Sequence, residues 1–325
     1  MSDVAAVILA AGKSTRMKGD LPKVLHGICG RPMLAYALQA CTEAGVGRIV
    51  VVVGHGKRQV VEAFSGWNNC TFVTQSEQKG TGHAVLCCRE ALAGFTGQVL
   101  VIAGDMPLLR SPTLRALLDE NARTNQAITL ATTILDDPTG YGRIIRDEKG
   151  GLSAIVEHND CTPEQLTVRE VNPSYYCFEG RRMFEAMDRV GQDNAKGEYY
   201  ITNAVKILIE AGHGGGAIAA VPPAEAMGIN SRADLAAVGR IMQDRIQAAW
   251  MESGVTIVDP ANTWINHGAQ IGPDTIIYPF SYIDGDAQIG EDCRIGPFAC
   301  LIAGDQIGSG ESVGPAALVA GVSGR

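Results

Sequence analysis

Every sixth residue from Ile271 onward is Ile, Leu or Val: Ile271, Ile277, Ile283, Ile289, Ile295, Leu301, Ile307, Val313 and Val319, with Ile265 extending the series backward. Glycine follows at Gly272, Gly290, Gly296, Gly308 and Gly314. A strict six-residue period with glycine beside the apolar position is the hexapeptide signature of a parallel β-helix, read here as a short left-handed one. Each hexapeptide makes one side of a triangular coil and points its aliphatic residue inward. At about three hexapeptides per coil, this tail makes about three coils.

Upstream the pattern changes to alternating strands and helices. Strands are predicted at 4–9, 48–53, 71–74, 99–103, 128–133 and 175–178. One helix is predicted from Pro32, as its first residue, to a C-cap at Gly45. A second covers about 82 to 92, and a third follows Ser111-Pro112, read as an N-cap and a first-turn proline. This rhythm gives an α/β fold, a mostly parallel, Rossmann-like sheet with helices on both faces. Ligands of such sheets sit at the carboxyl ends of the strands. A long helical pattern follows Ser231, read as its N-cap, and stops at Gly254. The expected organisation is a sheet domain over 1–230, a connecting helix over 231–254 and the β-helix over 255–325.

A chain of 325 residues can hold two domains with real cores. Its net charge of −8 argues against a general nucleic-acid binder, which needs a basic face. No apolar run approaches the ~20 residues of a membrane span, and the short N-terminal run reads as a strand, not a leader. Nine cysteines, with no C-x-x-C pair or Cys/His cluster, read as reduced thiols in a cytoplasm. The scattered histidines suggest no zinc site.

The first strand empties into Ala10, Ala11 and Gly12, small enough for a phosphate to approach the backbone, and then into a loop with Lys13, Arg16, Lys18 and Lys23. Backbone N–H groups and cations together suit a triphosphate. Pro22 fixes where Lys23 leaves the chain, and Arg16 can offer two parallel donors. The bland reading is a solvated loop with stray cations; the buried strand before it argues otherwise. Asp105 ends another buried strand, a good place for a Mg²⁺ ligand or for an ordinary turn aspartate. The segment 75–84, with Gln75, Gln78, Gly80 and Thr81, can read a base edge or simply cap a helix. Segments 136–144 and 155–158 place turns and Glu157 beside a possible sugar, or form a surface hairpin. Residues 197–203 suit either packing or substrate contact.

With these motifs assembled, the chain resembles the bacterial bifunctional N-acetylglucosamine-1-phosphate uridyltransferase and glucosamine-1-phosphate acetyltransferase family. LAAGKSTRM…LPK alone matches only the wider sugar nucleotidyltransferase signature. GHG, QSEQKGTGHA, GDMPL, DDPTGYGRI, IVEH, GEYYITN and the hexapeptide tail, in that order, narrow it. The resemblance implies a nucleotidyltransferase sheet with Leu9, Ala10, Ala11 and Gly12 around a uridine nucleotide. It implies Gln75, Gln78, Gly80 and Thr81 at the uracil, with Arg16 and Lys23 on the phosphates. It further implies Asp105 and Asn230 as ligands of Mg²⁺, and Gly140, Glu157 and Asn172 at N-acetylglucosamine. Departures are Ser14 for a common glycine, Ala103 for a larger residue, Pro173-Ser174 for Thr-Gly after Asn172, and Asn203 for aspartate.

The implied reaction is UTP plus N-acetylglucosamine 1-phosphate giving UDP-N-acetylglucosamine, a cell-envelope precursor, and pyrophosphate. Arg16, Lys23 and Asp105 are its expected catalytic groups. Another sugar 1-phosphate or nucleotide is the alternative, and a non-catalytic subunit a third. The β-helix of the family continues for several more coils and carries the acetyl-CoA site; the chain given ends at Arg325, so acetyl transfer is expected to be absent. A homotrimer through the β-helix is expected.

Overall fold

The computed structural model describes residues 3–13 and 15–315 and the backbone of 318–319. Ser14, the Val319 side chain and the terminal Gly-Val-Ser-Gly-Arg lie outside them. The chain divides into two compact units, Met1–His26 with Met33–Ser231, and Gly27–Pro32 with Arg232–Arg325.

The first unit is built on β1 (Val4–Ala10), β2 (Arg48–Val53), β3 (Cys70–Thr74), β4 (Gln98–Ala103), β5 (Ile128–Ile134), β6 (Gly142–Arg146), β7 (Leu152–Val156), β8 (Glu170–Glu179) and β9 (Gly215–Ile218). The sheet runs β9-β5-β8-β4-β1-β2-β3, and β6 pairs with the end of β8 and with β7. All neighbours in that order are parallel except β8, which is antiparallel to both β4 and β5. VAAVILA, and IVVVV after the exposed Arg48, read as unbroken apolar runs because both faces are covered. On one face Ile8 and Val51 pack with Leu34 and Leu38 of α1 (Met33–Glu43) and with Leu114. On the other, Val7 and Val50 pack with Val85, Met183 and Val205.

The helices correct three details. Pro32 is not the first helical residue; it pairs with Gly27 in a short hairpin, and α1 starts at Met33. The expected stop does hold: Gly45 has φ +87° and donates its N–H to Thr42. After the glycine turn at Gly80, α2 spans only Thr81–Leu86, and turns continue beyond it. In α3 (Ser111–Thr124) the N-cap is Arg110, in extended backbone, rather than Ser111. The predicted strand at 175–178 is the end of a ten-residue β8, whose register against β5 breaks between Val171 and Tyr175.

The second unit contains helix α4 (Arg232–Glu252) and the coils. Paired rungs repeat every 18 residues, as in Trp264–Ile265, Tyr282–Ile283 and Cys300–Leu301. Three such ladders make a three-sided parallel β-helix. The expected inward positions from Ile265 to Val313 are all buried. Ile257 joins them one side earlier, hidden from the strict period because the short turn Pro260–Asn262 intervenes. A Cβ on Gly272 would stand 2.6 Å from Gly290 backbone, so glycine is what lets successive coils stack there. Gln243 of α4 fastens this unit: it donates to Ile265 carbonyl (2.7 Å) and accepts from the Ile265 N–H (2.9 Å). The hairpin Gly27–Pro32 attaches through the His267 N–H to Cys29 carbonyl (2.8 Å).

Candidate active site

Strands β1 and β4 lie side by side and parallel, so their carboxyl ends open onto one place. The Gly104 N–H donates to Leu9 carbonyl (2.9 Å), which extends the ladder one step past β4. A Cβ there would crowd Ile8 and the Leu9 carbonyl at 3.2 Å. Asp105 therefore leaves the sheet beside the small-residue loop. Lys23 follows Pro22 at the start of a single helical turn, Lys23–Leu25. Its ammonium forms an ion pair with the Asp105 carboxylate and donates to Asn230 Oδ1 at 2.9 Å. The Lys23 and Asp105 side chains are only 15% and 24% exposed, so this pair is poorly screened.

Asn230 reaches the site from 125 residues beyond Asp105 through backbone ties. The Ile229 N–H donates to Asp105 carbonyl (3.0 Å). Farther back, Tyr175 and Tyr141 hydroxyls donate to the carbonyls of Glu225 (2.5 Å) and Ala226 (2.9 Å).

A cavity of about 190 Å³ opens against this cluster and is also lined by Leu9, Ala10, Gly12, Lys13 and Arg16. A larger one, about 440 Å³, shares Leu9, Gly12, Lys13 and Asp105 with it and adds Ala11, Gln75, Gln78, Gly80 and Thr81. All the nucleotide-binding candidates thus line one or both. Gln75 is buried and donates from Nε2 to Gly80 carbonyl (3.0 Å), with His83 Nδ1 at 3.1 Å. Its amide shapes the loop, leaving the oxygen as the group able to meet a ligand. The 197–203 segment is the wall on which this loop rests. Thr81 Oγ1 accepts from the Ile201 N–H (3.0 Å), and the Gly82 N–H donates to Tyr199 carbonyl (2.7 Å).

The sugar candidates are placed differently from one another. Glu157 lines a third cavity, about 530 Å³, with Tyr200, Thr202 and Asn203. Burial pushes its carboxyl above the ordinary value, against the opposing hydrogen bond from Thr202 (3.1 Å). Asn172 is buried and works through neighbours: Nδ2 donates to Tyr176 hydroxyl (2.7 Å) and Oδ1 accepts from the Ser174 N–H (3.0 Å). Ser174 and Tyr176 line the 440 Å³ cavity. Burial first, and then the Glu157 charge, raise the Tyr176 hydroxyl. Gly140 lies in an open turn at φ +86° and lines none of these three cavities.

Sequence reasoning missed Ser174 as a cavity residue, Tyr176 and the buried Glu225. The signal for Ser174 was the Pro173-Ser174 departure. For Glu225 it was one carboxylate within the apolar stretch PAEAM.

The sequence profile of the MobA-like NTP transferase domain matches residues 6–207, and that of the bacterial transferase hexapeptide (six repeats) matches 261–303. The Bifunctional protein GlmU of Geobacter metallireducens is 48% identical over 285 residues, which is 88% of this chain and 60% of that protein. The GlmU protein of Geotalea daltonii is 44% identical over 285 residues, 88% of this chain and 62% of its own length. The chain thus spans about 60% of the length of these curated relatives. A crystal structure of UDP-glucose pyrophosphorylase complexed with UDP-glucose shares the fold, with a TM-score of 0.59 and 19% identity over 74% of this chain and 98% of that one. With its sheet unit matched nearly end to end, the chain belongs to the MobA-like NTP transferase domain family.

Proposed function

We propose that the chain transfers UMP from UTP to N-acetylglucosamine 1-phosphate, releasing pyrophosphate. The observation that carries this reading is the meeting of Lys23, Asp105 and Asn230 at the mouth shared by β1 and β4, beside Gly12, Lys13 and Arg16. The GlmU relatives support the same choice of reaction.

The sugar-phosphate oxygen attacks the α-phosphorus of UTP, and the bond to the departing pyrophosphate breaks. That oxygen is already ionised near neutral pH, so the step needs positioning and charge stabilisation rather than a general base. Gly12 and its neighbours let the phosphates approach the backbone, Arg16 takes up charge on the pyrophosphate, and Lys23 holds the reacting phosphates. Leu9, Ala10 and Ala11 would flank the nucleotide, and Gln75, Gln78, Gly80 and Thr81 the base. Glu157, with Asn172 and Gly140 as weaker candidates, would hold the sugar. Asp105 and Asn230 offer a carboxylate and an amide oxygen, hard donors that fit Mg²⁺ when phosphates supply the rest. Such a cation would neutralise phosphate charge and draw the two substrates together.

Release of pyrophosphate across a panel of nucleotides and sugar 1-phosphates, with and without Mg²⁺, tests the reading. No release with UTP and any sugar phosphate overturns it. One observation favours the second reading, another sugar 1-phosphate. Ala103 and Ser174, both lining the 440 Å³ cavity, depart from the family pattern, and Ser174 holds φ +68°. The same panel separates the two.

A sheet domain over 1–230, a connecting helix over 231–254, a β-helix over 255–325, a homotrimer and a cytoplasmic address are proposed. The hexapeptide match supports self-association, and nine free thiols suit a reducing compartment. Absence of acetyl transfer is also proposed for this stretch of chain. Acetyl-CoA turnover with glucosamine 1-phosphate would refute that part.

A further inference from the structure

Glu225 is wholly buried, yet it carries a carboxylate that the transfer reaction does not use. Three donors hold it. Arg110 Nε donates to Oε1 (2.6 Å), Thr113 Oγ1 donates to Oε2 (2.6 Å), and the Arg110 backbone N–H donates to Oε2 (3.2 Å). All three come from the start of α3, the element that follows Asp105 in the chain. The arrangement clamps residue 225 to that helix, and the Ile229 N–H clamps residue 229 to the Asp105 carbonyl. Between the clamps run only Ala226, Met227 and Gly228. Asn230 is the next residue after the second clamp. Its position relative to Asp105 is thereby set by a closed ring of chain: Asp105, the loop to Arg110, the Glu225 carboxylate, and back along 226–230.

We infer that Glu225 is a positioning residue that holds Asn230 beside Asp105, where the two would serve as ligands of a divalent cation. The inference rests on the metal reading of Asp105 and Asn230 given above. A buried ion pair is a costly way to join a helix to a loop when apolar packing would serve, and replacing a whole pair by apolar groups is often neutral for the fold. What an apolar or amide replacement cannot do is accept from all three N–H and O–H donors on two oxygens and so close this ring of chain. Groups that orient metal ligands without touching the metal typically matter for affinity by about 10–100-fold.

The test is Mn²⁺ binding to the full chain in the presence of UTP, read by electron paramagnetic resonance of the free ion, together with amide hydrogen exchange. The variants are Glu225→Gln, Thr113→Val and Asp105→Asn. Glu225→Gln should weaken Mn²⁺ binding by about tenfold and speed exchange at amides 226–230, while β1 amides keep their protection. Thr113→Val removes one donor and keeps the carboxylate; it should move both readouts in the same direction, and it carries the test if Glu225→Gln does not fold. Folded variants with wild-type Mn²⁺ affinity, alongside an Asp105→Asn protein that has lost it, overturn the positioning role alone. Wild-type affinity in Asp105→Asn overturns the metal reading beneath it.

Discussion

Glu157 is a carboxylate whose burial works against its own charge. Burial raises its pKa, so the folded protein holds that proton more tightly than the unfolded chain does. The sign follows from linkage: the favourable contribution is fully present below the unfolded pKa and is lost as pH rises through the raised, folded one. Glu157→Gln keeps an oxygen for Thr202 and removes the charge. Thermal unfolding of this variant should therefore match wild type in acid and pull ahead as pH climbs through that window, while its KM for the sugar phosphate rises. A variant that is less stable at neutral pH, or that binds sugar normally, refutes the role. Asp105 gives the opposite balance. Asp105→Ala removes the Lys23 ion pair at a partly exposed site and leaves Lys23 its Asn230 partner, so the fold should survive, with kcat lower by at least about a hundredfold. Near wild-type turnover with Mg²⁺ would exclude Asp105 from the chemistry. The meeting of Leu9, Ala10 and Gly12 with Asp105 was legible in sequence because parallel strands deliver their carboxyl ends to one edge. Glu225 was not, because Arg110 and Thr113 lie more than a hundred positions away and nothing local marks them as partners.

Elements were legible where a period was clean. The runs at 48–53 and 99–103 appear almost residue for residue, since a strand buried on both faces has to be apolar throughout. The antiparallel direction of β8 and the β6–β7 hairpin beside it had no such signature; pairing direction is set by long-range contacts and not by composition. Pro32, which the sequence offers as a first helical residue, closes the hairpin Gly27–Pro32 instead, because proline suits both. Two element-scale outcomes follow. Gly80 has φ +106°, and a Cβ there would lie 2.6 Å from Tyr199 carbonyl. Gly80→Ala should pry the 75–82 loop from the 197–201 segment and cost about 2–4 kcal/mol, measured by denaturant unfolding. A wild-type midpoint would mean the loop has slack that the contacts do not suggest. Ile283 is fully buried between coils whose other two sides are equally thin. Ile283→Ala should cost about 2–5 kcal/mol, concentrated in the β-helix because each coil leans only on its neighbours. Hydrogen exchange should then rise in the coils and stay unchanged in β1 and β4.

At the scale of the whole molecule, the outer surface of the coils asks for a partner. Phe280 and Phe298 lie 18 residues apart, at one corner of successive coils, and their rings stack at 4.9 Å while remaining 54% and 57% exposed. Tyr282 and Ile302 add further exposed apolar surface at neighbouring positions. A monomer seldom leaves such a contiguous aromatic patch in water, and self-association would cover it without any added chain. A repeat structure also presents the same spacing coil after coil, so identical copies can pair along its length. The proposed homotrimer predicts, in sedimentation equilibrium at micromolar concentration, a mass three times the 34.3 kDa of one chain. Phe298→Glu should shift that mass toward the monomer, because it places a charge in the patch. The residue's own coil should remain intact, since an already exposed side chain contributes little to the interior. A monomeric wild-type protein at that concentration overturns the trimer, and a Phe298→Glu protein of unchanged mass moves the contact to another side of the β-helix.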